Sequence, residues 1–525
     1  MKFTDYKFKF SNFFRLNFWL FCVLLLFLIT RLYQIDKIPA SLYWDEASIA
    51  YNAYSIASTG KDEWGDFLPL HFRAFGEFKL PVYIYSVAVF EKLTGLSEMA
   101  VRLPAVLFSL GVIFLTYLLT LKIFNHKTTA VFSALILAIL PWFFIFSRTG
   151  YEATAGLMFY LSGIYLFLLS KERPWLLILA AFSFILSIYS YNSFRITVPL
   201  TVIFLILNKG FLVRHLKNSW SFRLSLASFI ILLVLGAIPI FRLMGDNAGM
   251  ARFQTIGIST ENKSELPLLF ARNYFSHLGF EFLFGGDKNM RSQQPGFGQL
   301  YLLNFPFLVA GLVFIFKKRS REMFIPIILL LFSFIPAALT RESPHALRAI
   351  SAAPFIAIIS AMGAGFIINK FKFKKLLFIA LIVGCLTMFS VYFKSFVSVY
   401  PTVSSPDWQY GYKKLFIEYK DEFEKYDKVV VSDYMAQPYI FALFYLKIDP
   451  VRFLSEVEYN SVDRWGFSTV SSFNNFQFRK IDPDSMPEGS SLIFASPLEK
   501  LEIPEKSVVK NLDGSVAFYV YNVKQ

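Results

Sequence analysis

Cysteine is almost absent from this chain and histidine is scarce, with two and five residues in 525. Cys22 and Cys385 both lie inside apolar runs where no oxidising solvent reaches a thiol, which excludes a disulfide framework and a cysteine metal site. No second histidine stands at metal spacing from His71, so it reads as an ordinary loop residue. A glycine-rich phosphate loop is missing, and a nucleotide site with it. So is any internal repeat of fixed period, which disfavours the duplicated halves of many secondary transporters. Charged residues make up only 17% of the chain. The net charge of +15 would suggest a nucleic-acid partner in a soluble protein. Membrane topology accounts for nearly all of it here, and no nucleic acid is expected.

What the chain has in abundance is apolar sequence. Hydrophobic residues reach 55%, mean hydropathy is +0.50, and they gather into long runs rather than stripes, as in a polytopic α-helical membrane protein. The first run, 18 to 32, follows Lys7, Lys9 and Arg15 but lacks a small-x-small cleavage site, and Arg31 and Tyr33 mark an interfacial end. It is expected to be retained. Further runs fall at about 100–122, 128–146, 153–170, 174–191, 194–208, 223–244, 301–316, 323–339, 346–369 and 375–394, giving about eleven spans. With the N-terminus cytoplasmic, the inner segments carry 20 basic residues against Asp5, Glu172 and Glu322, whereas segment 35–98 carries nine acidic against five basic. That bias predicts an odd number of spans and an extracytoplasmic C-terminus in the plasma membrane.

Two outer segments, 35–98 and 245–300, are too long to be connections within the membrane part, 1–399. Region 400–525 has a different texture. YDKVVVSD (426–433) and SSLIFASP (490–497) read as strands, QPYIFALFYL (437–446) as a helix, and Asp513-Gly514 as the turn of a hairpin. A small α/β extracytoplasmic domain is expected there. In the first outer segment, Ala47, Ala50, Tyr51 and Tyr54 recur at helical spacing opposite Ser48, Asn52 and Ser55, predicting an interfacial helix that begins at Glu46. A second should follow from 79 to 93, entered through Pro81.

The polar residues left after topology is assigned fall on the outer side. They are Asp45 and Glu46; His71, Arg73, Glu77 and Lys79; SRTGYE (147–152); YNSFR (191–195); GDKNMR (286–291); and TRESPHALR (340–348). A cavity at the outer leaflet lined by carboxylates and arginines uses them all. Asp45 could serve as a helix N-cap, but a cap explains one carboxylate and not two. Arg148, Arg195 and Arg348 fit either headgroup anchors or a convergent anion site. Tyr43, Trp44 and Trp64 read as interface belt.

The motifs WDEA, EFKLP, SRTGYEA, YNSFR and ALRAISAAP, set in a first helix, a large first outer loop and an outer C-terminal domain, resemble the GT-C glycosyltransferases. The likeness is to the branch of protein O-mannosyltransferases and the aminoarabinose transferases that modify lipid A, over about residues 10 to 395. It implies a hexosyl or pentosyl transfer from a polyprenyl-phosphate sugar, on the outer side of the membrane, to a glycan, lipid or protein acceptor of the cell envelope. Asp45 takes the family's catalytic acidic position, with Glu46 beside it. Glu77 and Lys79 match the loop acid and lysine, although Phe78 separates them and a single Pro81 follows Leu80 where a double proline is common. Arg148, Tyr191, Arg195, Arg291, His345 and Arg348 are the remaining candidates for substrate binding. A sugar hydroxyl needs a carboxylate to take its proton, and a departing phosphate needs cations, so an acid pair with arginines fits a single displacement with inversion. A divalent metal on Asp45, Glu46 or Glu77 is compatible with such a site. The rival reading is a transporter or flippase of lipid-linked sugars, which would place such residues at the bilayer midplane.

Overall fold

The computed structural model describes residues 4–208, 220–287 and 289–524, without the side chains of 4–16 and Ser485. Among the basic residues used for topology, Lys2, Lys209, Arg214 and Lys217 lie outside the described residues, as do the side chains of Lys7, Lys9 and Arg15; so does Lys288 of the GDKNMR segment.

Every apolar run carries a helix. They are Thr4–Leu32, Glu98–Phe124, Lys127–Ile139, Ala153–Leu169, Leu176–Ile188, Phe194–Leu207, Trp220–Gly245, Asn304–Lys318, Arg321–Ala338, Ala352–Lys370 and Lys374–Ser398. Five of them, at 98–124, 220–245, 321–338, 352–370 and 374–398, are long and apolar enough to cross a bilayer. The protein is therefore a multi-pass membrane protein. The shorter helices end where proline or polar sequence intervenes: Lys127–Ile139 gives way at Leu140 to a new turn opened by Pro141. Ala352–Lys370 sits at the centre, with residues 352 to 364 all buried, while Trp220–Gly245 and Lys374–Ser398 leave most of their surface uncovered. Apolar side chains such as Ile231, Val234, Leu376 and Ile379 on those outer helices are more than half exposed, as a lipid-facing surface requires.

The first loop departs from its expected form. Its helix runs Trp44–Thr59, starting two residues before Glu46, and residues 46 to 53 together with Ser55 are buried, so it has no solvent face. The C-terminal domain covers it: the Tyr51 hydroxyl donates to the Ile448 carbonyl at 3.1 Å, and Phe453 packs edge-on to the Tyr51 ring. Of the polar residues that suggested a wet face, Asn52 donates to the Ser48 carbonyl and to Glu63, and the Ser55 hydroxyl is buried without a hydrogen-bond partner among the described residues. The second helix, Pro81–Thr94, has proline in its first turn as expected. Between the two lies a hairpin, β1 (Phe72–Ala74) and β2 (Glu77–Lys79), turning at Phe75-Gly76 with Gly76 at φ +76°.

The C-terminal region forms a seven-stranded sheet from β3 (Lys428–Val431), β4 (Glu458–Tyr459), β5 (Val470–Phe473), β6 (Phe476–Phe478), β7 (Ser490–Ala495), β8 (Ser507–Lys510) and β9 (Val516–Lys524). The order is β4-β5-β6-β3-β7-β9-β8, with β3 parallel to both neighbours and the rest antiparallel. The α/β expectation holds, including the helix Pro438–Tyr445 and the β8–β9 hairpin around Gly514 at φ +89°. One apolar cluster runs without a break from Ala50 and Tyr83 in the first loop to Phe441, Phe476 and Phe518 in the sheet domain. The two parts share a core.

Candidate active site

The segment between the first helix and Trp44 has no regular structure, so its carbonyls need partners from elsewhere. Two fully buried arginines supply them. Arg102 donates to the carbonyls of Ile35, Pro39 and Ser41 at 2.9, 3.1 and 2.7 Å. Arg148 donates to those of Thr30, Tyr33, Gln34 and Ile38 at 2.8 to 3.3 Å. The first amide of the helix, Trp44 N–H, donates to Gln409 Oε1 of the C-terminal region at 2.9 Å. Membrane helices and outer domain together thus fix the turn that delivers Asp45.

Asp45 lines a cavity of about 1320 Å³ with Glu77, Lys79, Glu152, Tyr191, Arg195, Arg252, Arg291, His345 and Arg348. Strand alternation settles the spacing of the EFKLP motif: Glu77 and Lys79 share a face of β2, and Phe78 points away to the His71 and Phe467 rings. The Lys79 ammonium, almost fully buried, lies 2.7 Å from Asp45 Oδ1 and 3.7 Å from Glu77 Oε1. Arg252, on the helix Asn247–Ile256 of the second long loop, reaches Glu77 Oε2 at 3.1 Å. The result is an alternating row, Asp45, Lys79, Glu77, Arg252. Burial alone would push the Lys79 ammonium down; Asp45, Glu152 and Glu77 more than offset it and hold its pKa above the usual lysine value. Burial pushes the Glu152 carboxyl up to about 7 against the pull of Lys79.

Across the cavity the Arg291 guanidinium stacks on Tyr43, 3.6 Å from the ring centre. Arg348 is held by Thr340 Oγ1 at 2.9 Å and Glu342 Oε2 at 3.0 Å. His345 sits in a fixed turn: its N–H donates to His277 Nε2, and the next amide donates to Asp287 Oδ2. Burial, reinforced by Arg348 and His277, holds the His345 pKa well below the usual histidine value, so its ring is neutral. Arg195 has Nε and Nη2 buried without a hydrogen-bond partner among the described residues.

Two candidates stand elsewhere. Glu46 does not face the cavity; its carboxylate is wholly buried, accepting from Arg102 Nε and Nη2 at 3.2 and 3.3 Å, Gly150 N–H at 2.6 Å and Tyr43 N–H at 3.3 Å. That last bond is the N3-to-N-cap half of a capping box with Tyr43 as N-cap, and Asp45, in the first turn, is left for the cavity. Arg148 is committed to backbone carbonyls behind the site. Arg102, Glu152 and Arg252 were not singled out from sequence. Arg102 is enclosed in an apolar run, with only Glu98 one turn earlier as a cue. Glu152 ends a quoted motif, and Arg252 lies in a loop with no motif at all.

Among the described residues no group of three or more His, Cys, Asp or Glu side chains is arranged to hold a metal ion. Glu46 is turned away, and Asp45 and Glu77 are the pair that could contribute oxygens. The Lys79 ammonium stands between them, where a bound cation would sit.

This arrangement is the GT-C glycosyltransferase fold. The chain is similar to ArnT from Cupriavidus metallidurans in the apo state, with a TM-score of 0.57 and 12% identity over 97% of this chain and 98% of that one. It is similar to the same transferase bound to undecaprenyl phosphate, with a TM-score of 0.55 and 13% identity over 96% and 98%. Archaeal oligosaccharyltransferase AglB from Archaeoglobus fulgidus, in complex with an inhibitory peptide and a dolichol-phosphate, matches at a TM-score of 0.51 and 14% identity over 83% of this chain and 64% of that one. In sequence, residues 79–237 match the family described as Dolichyl-phosphate-mannose-protein mannosyltransferase. No curated protein matches in sequence.

Proposed function

We propose that this protein is a membrane glycosyltransferase that moves a hexosyl or pentosyl group from a polyprenyl-phosphate donor to a hydroxyl of a glycan, lipid or protein acceptor, on the extracytoplasmic face. One observation carries the reading: a carboxylate, Asp45, beside a buried ammonium, Lys79, in a cavity rimmed by Arg252, Arg291 and Arg348. The cavity wall also carries Leu243, Met244, Met250 and Phe253, an apolar surface suited to the first isoprene units of a lipid tail. The relatives bound to undecaprenyl phosphate and to a dolichol-phosphate support a lipid-phosphate donor.

In this reading Asp45 accepts the proton of the acceptor hydroxyl as its oxygen bonds to the anomeric carbon. The bond from that carbon to the phosphate oxygen breaks, and polyprenyl phosphate leaves with the electron pair. Lys79, Arg252 and Arg291 hold the charge that develops on it. Lys79 links the two halves of the reaction, since it touches the base and faces the leaving group. It supplies the positive charge that a divalent ion on Asp45 and Glu77 would otherwise bring. Glu46 and Arg148 position the loop without touching substrate. Eleven crossings, an inner N-terminus and an outer sheet domain over residues 400–525 complete the proposal. Nothing in the cavity favours the flippase reading.

Mass spectrometry of glycolipids and glycoproteins from cells with and without the gene tests it. Loss of one glycosylated species is the expected result; identical profiles would overturn the reading.

A further inference from the structure

At the other end of the same helices lies a second pocket. The helix Ala153–Leu169 begins beside Glu152 in the cavity and ends at Leu168 in this pocket; Phe194–Leu207 likewise runs from Arg195 to Leu205. Seventeen residues of helix set the two apart by about 25 Å, close to the thickness of a bilayer core. The pocket, about 190 Å³, has a floor of Ile123, Leu168, Leu205 and Ile325 and a rim of Lys122, Lys171, Asn208, Ser320, Arg321 and Glu322.

Topology alone asks for basic residues in inner loops, but not that they converge. Here cations from three separate interhelical turns meet. Lys122 pairs with Glu172, 50 residues away, and Lys171 pairs with Glu322 at 3.3 Å, 151 residues away. Arg321 has no carboxylate within ion-pair distance among the described residues. Two partly exposed ion pairs, an additional arginine and the Ser320 hydroxyl form a half-solvated cup for a phosphate group. Beside it, across the turn of Lys317 to Arg321, a groove of Val309, Leu312, Val313 and Phe316 on the helix Asn304–Lys318 ends at Lys317 and Arg319. A basic cup next to an apolar groove is the shape of a phospholipid, headgroup and chain.

We infer that this pocket binds the headgroup phosphate of an anionic phospholipid in the leaflet opposite the active-site cavity. The inference rests on the reading of the chain as membrane-spanning, and not on which leaflet is which. Bound lipid would bridge the ends of Glu98–Phe124, Ala153–Leu169 and Arg321–Ala338, tying three helices that also carry the site at their other ends. Lys171 would turn from Glu322 to the phosphate, with Arg321 and Lys122 completing the charge and the Glu322 carboxylate left to solvent.

Native mass spectrometry of the purified full chain in detergent, titrated with phosphatidylglycerol or phosphatidylcholine, tests this. Wild-type protein should retain phosphatidylglycerol in preference. The double variant Lys171→Ala, Arg321→Ala should bind it roughly thirtyfold more weakly, from about tenfold or less per cation near a membrane surface. Arg252→Ala, altered at the opposite end, should retain it like wild type, which separates this pocket from the donor cavity. Charge-conserving Lys171→Arg should also retain it and guards against mere misfolding. Equal retention of the two lipids, or unchanged binding in the double variant, would overturn the inference. Displacement by ten-millimolar inorganic phosphate would overturn the lipid assignment in favour of free phosphate. Sugar transfer by the double variant is a separate readout, and its loss or survival bears on the enzyme reading alone.

Discussion

Adjacent carboxylates on a helix diverge by about 100°, and that rotation assigns Asp45 and Glu46 to different tasks. Asp45 faces Lys79 and the cavity; Glu46 faces Arg102 and the amides of Gly150 and Tyr43. The pair was legible in the sequence as important, but which member did what depended on a partner hidden in an apolar run. Glu46→Gln removes the nearest counter-charge of buried Arg102 and leaves only Glu98 at 4.0 Å, so it should lower stability by about 3–5 kcal/mol, read as reduced yield and a lower melting temperature in detergent. A variant as stable as wild type would remove Glu46 from the scaffold. Arg195 is the converse case: its unpartnered Nε and Nη2 are donors awaiting an acceptor. Arg195→Ala should weaken donor binding by about 1.5–3 kcal/mol, the worth of a hydrogen bond to a charged group. Unchanged affinity by calorimetry would leave it a headgroup anchor.

The hairpin of β1 and β2 shows why a motif with one inserted residue still works. A period of two brings Glu77 and Lys79 to one face whatever stands at 78, and Gly76 at positive φ closes the turn. Sequence gave no strand signal there, because three-residue strands are too short for alternation to register. The same limit hid the β5–β6 hairpin, while the longer β7 and β9 were plain. The first-loop helix was legible as a helix but not as a buried one, since the domain that covers it lies about 400 residues downstream. That cover traps the Glu63 carboxyl, which accepts from Asn52 at 3.1 Å and is pushed by burial up to about 8. A carboxyl whose folded pKa is raised contributes stability in full below its ordinary value near 4.5, and loses it as pH rises through about 8. Asp62 next to it, pushed up to about 6 by burial, acts in the same direction at lower pH. Melting temperature should therefore fall between about pH 4.5 and 8, and Glu63→Gln should flatten that fall. Equal slopes in the two proteins would show that Glu63 is not the group responsible.

For the whole molecule, hydropathy located a helix in every apolar run and charge proposed its direction, because both properties are local along the chain. Convergence of the site was not local: Asp45, Lys79, Glu152, Arg252 and Arg348 come from five segments spread over 300 residues. The proposed sidedness predicts that Lys61→Cys is labelled from outside intact cells and Lys318→Cys is not; both positions are exposed. The reverse pattern would place the cavity on the inner face. The most direct test of the catalytic claim is sugar transfer by purified Asp45→Asn protein, reconstituted in lipid vesicles with a polyprenyl-phosphate sugar. Asparagine keeps the size of the side chain and removes the base. Turnover should fall on the order of 100-fold or more while donor binding and melting temperature hold. Transfer at the wild-type rate would contradict the account, because Asp45 would then be no more than a partner for Lys79.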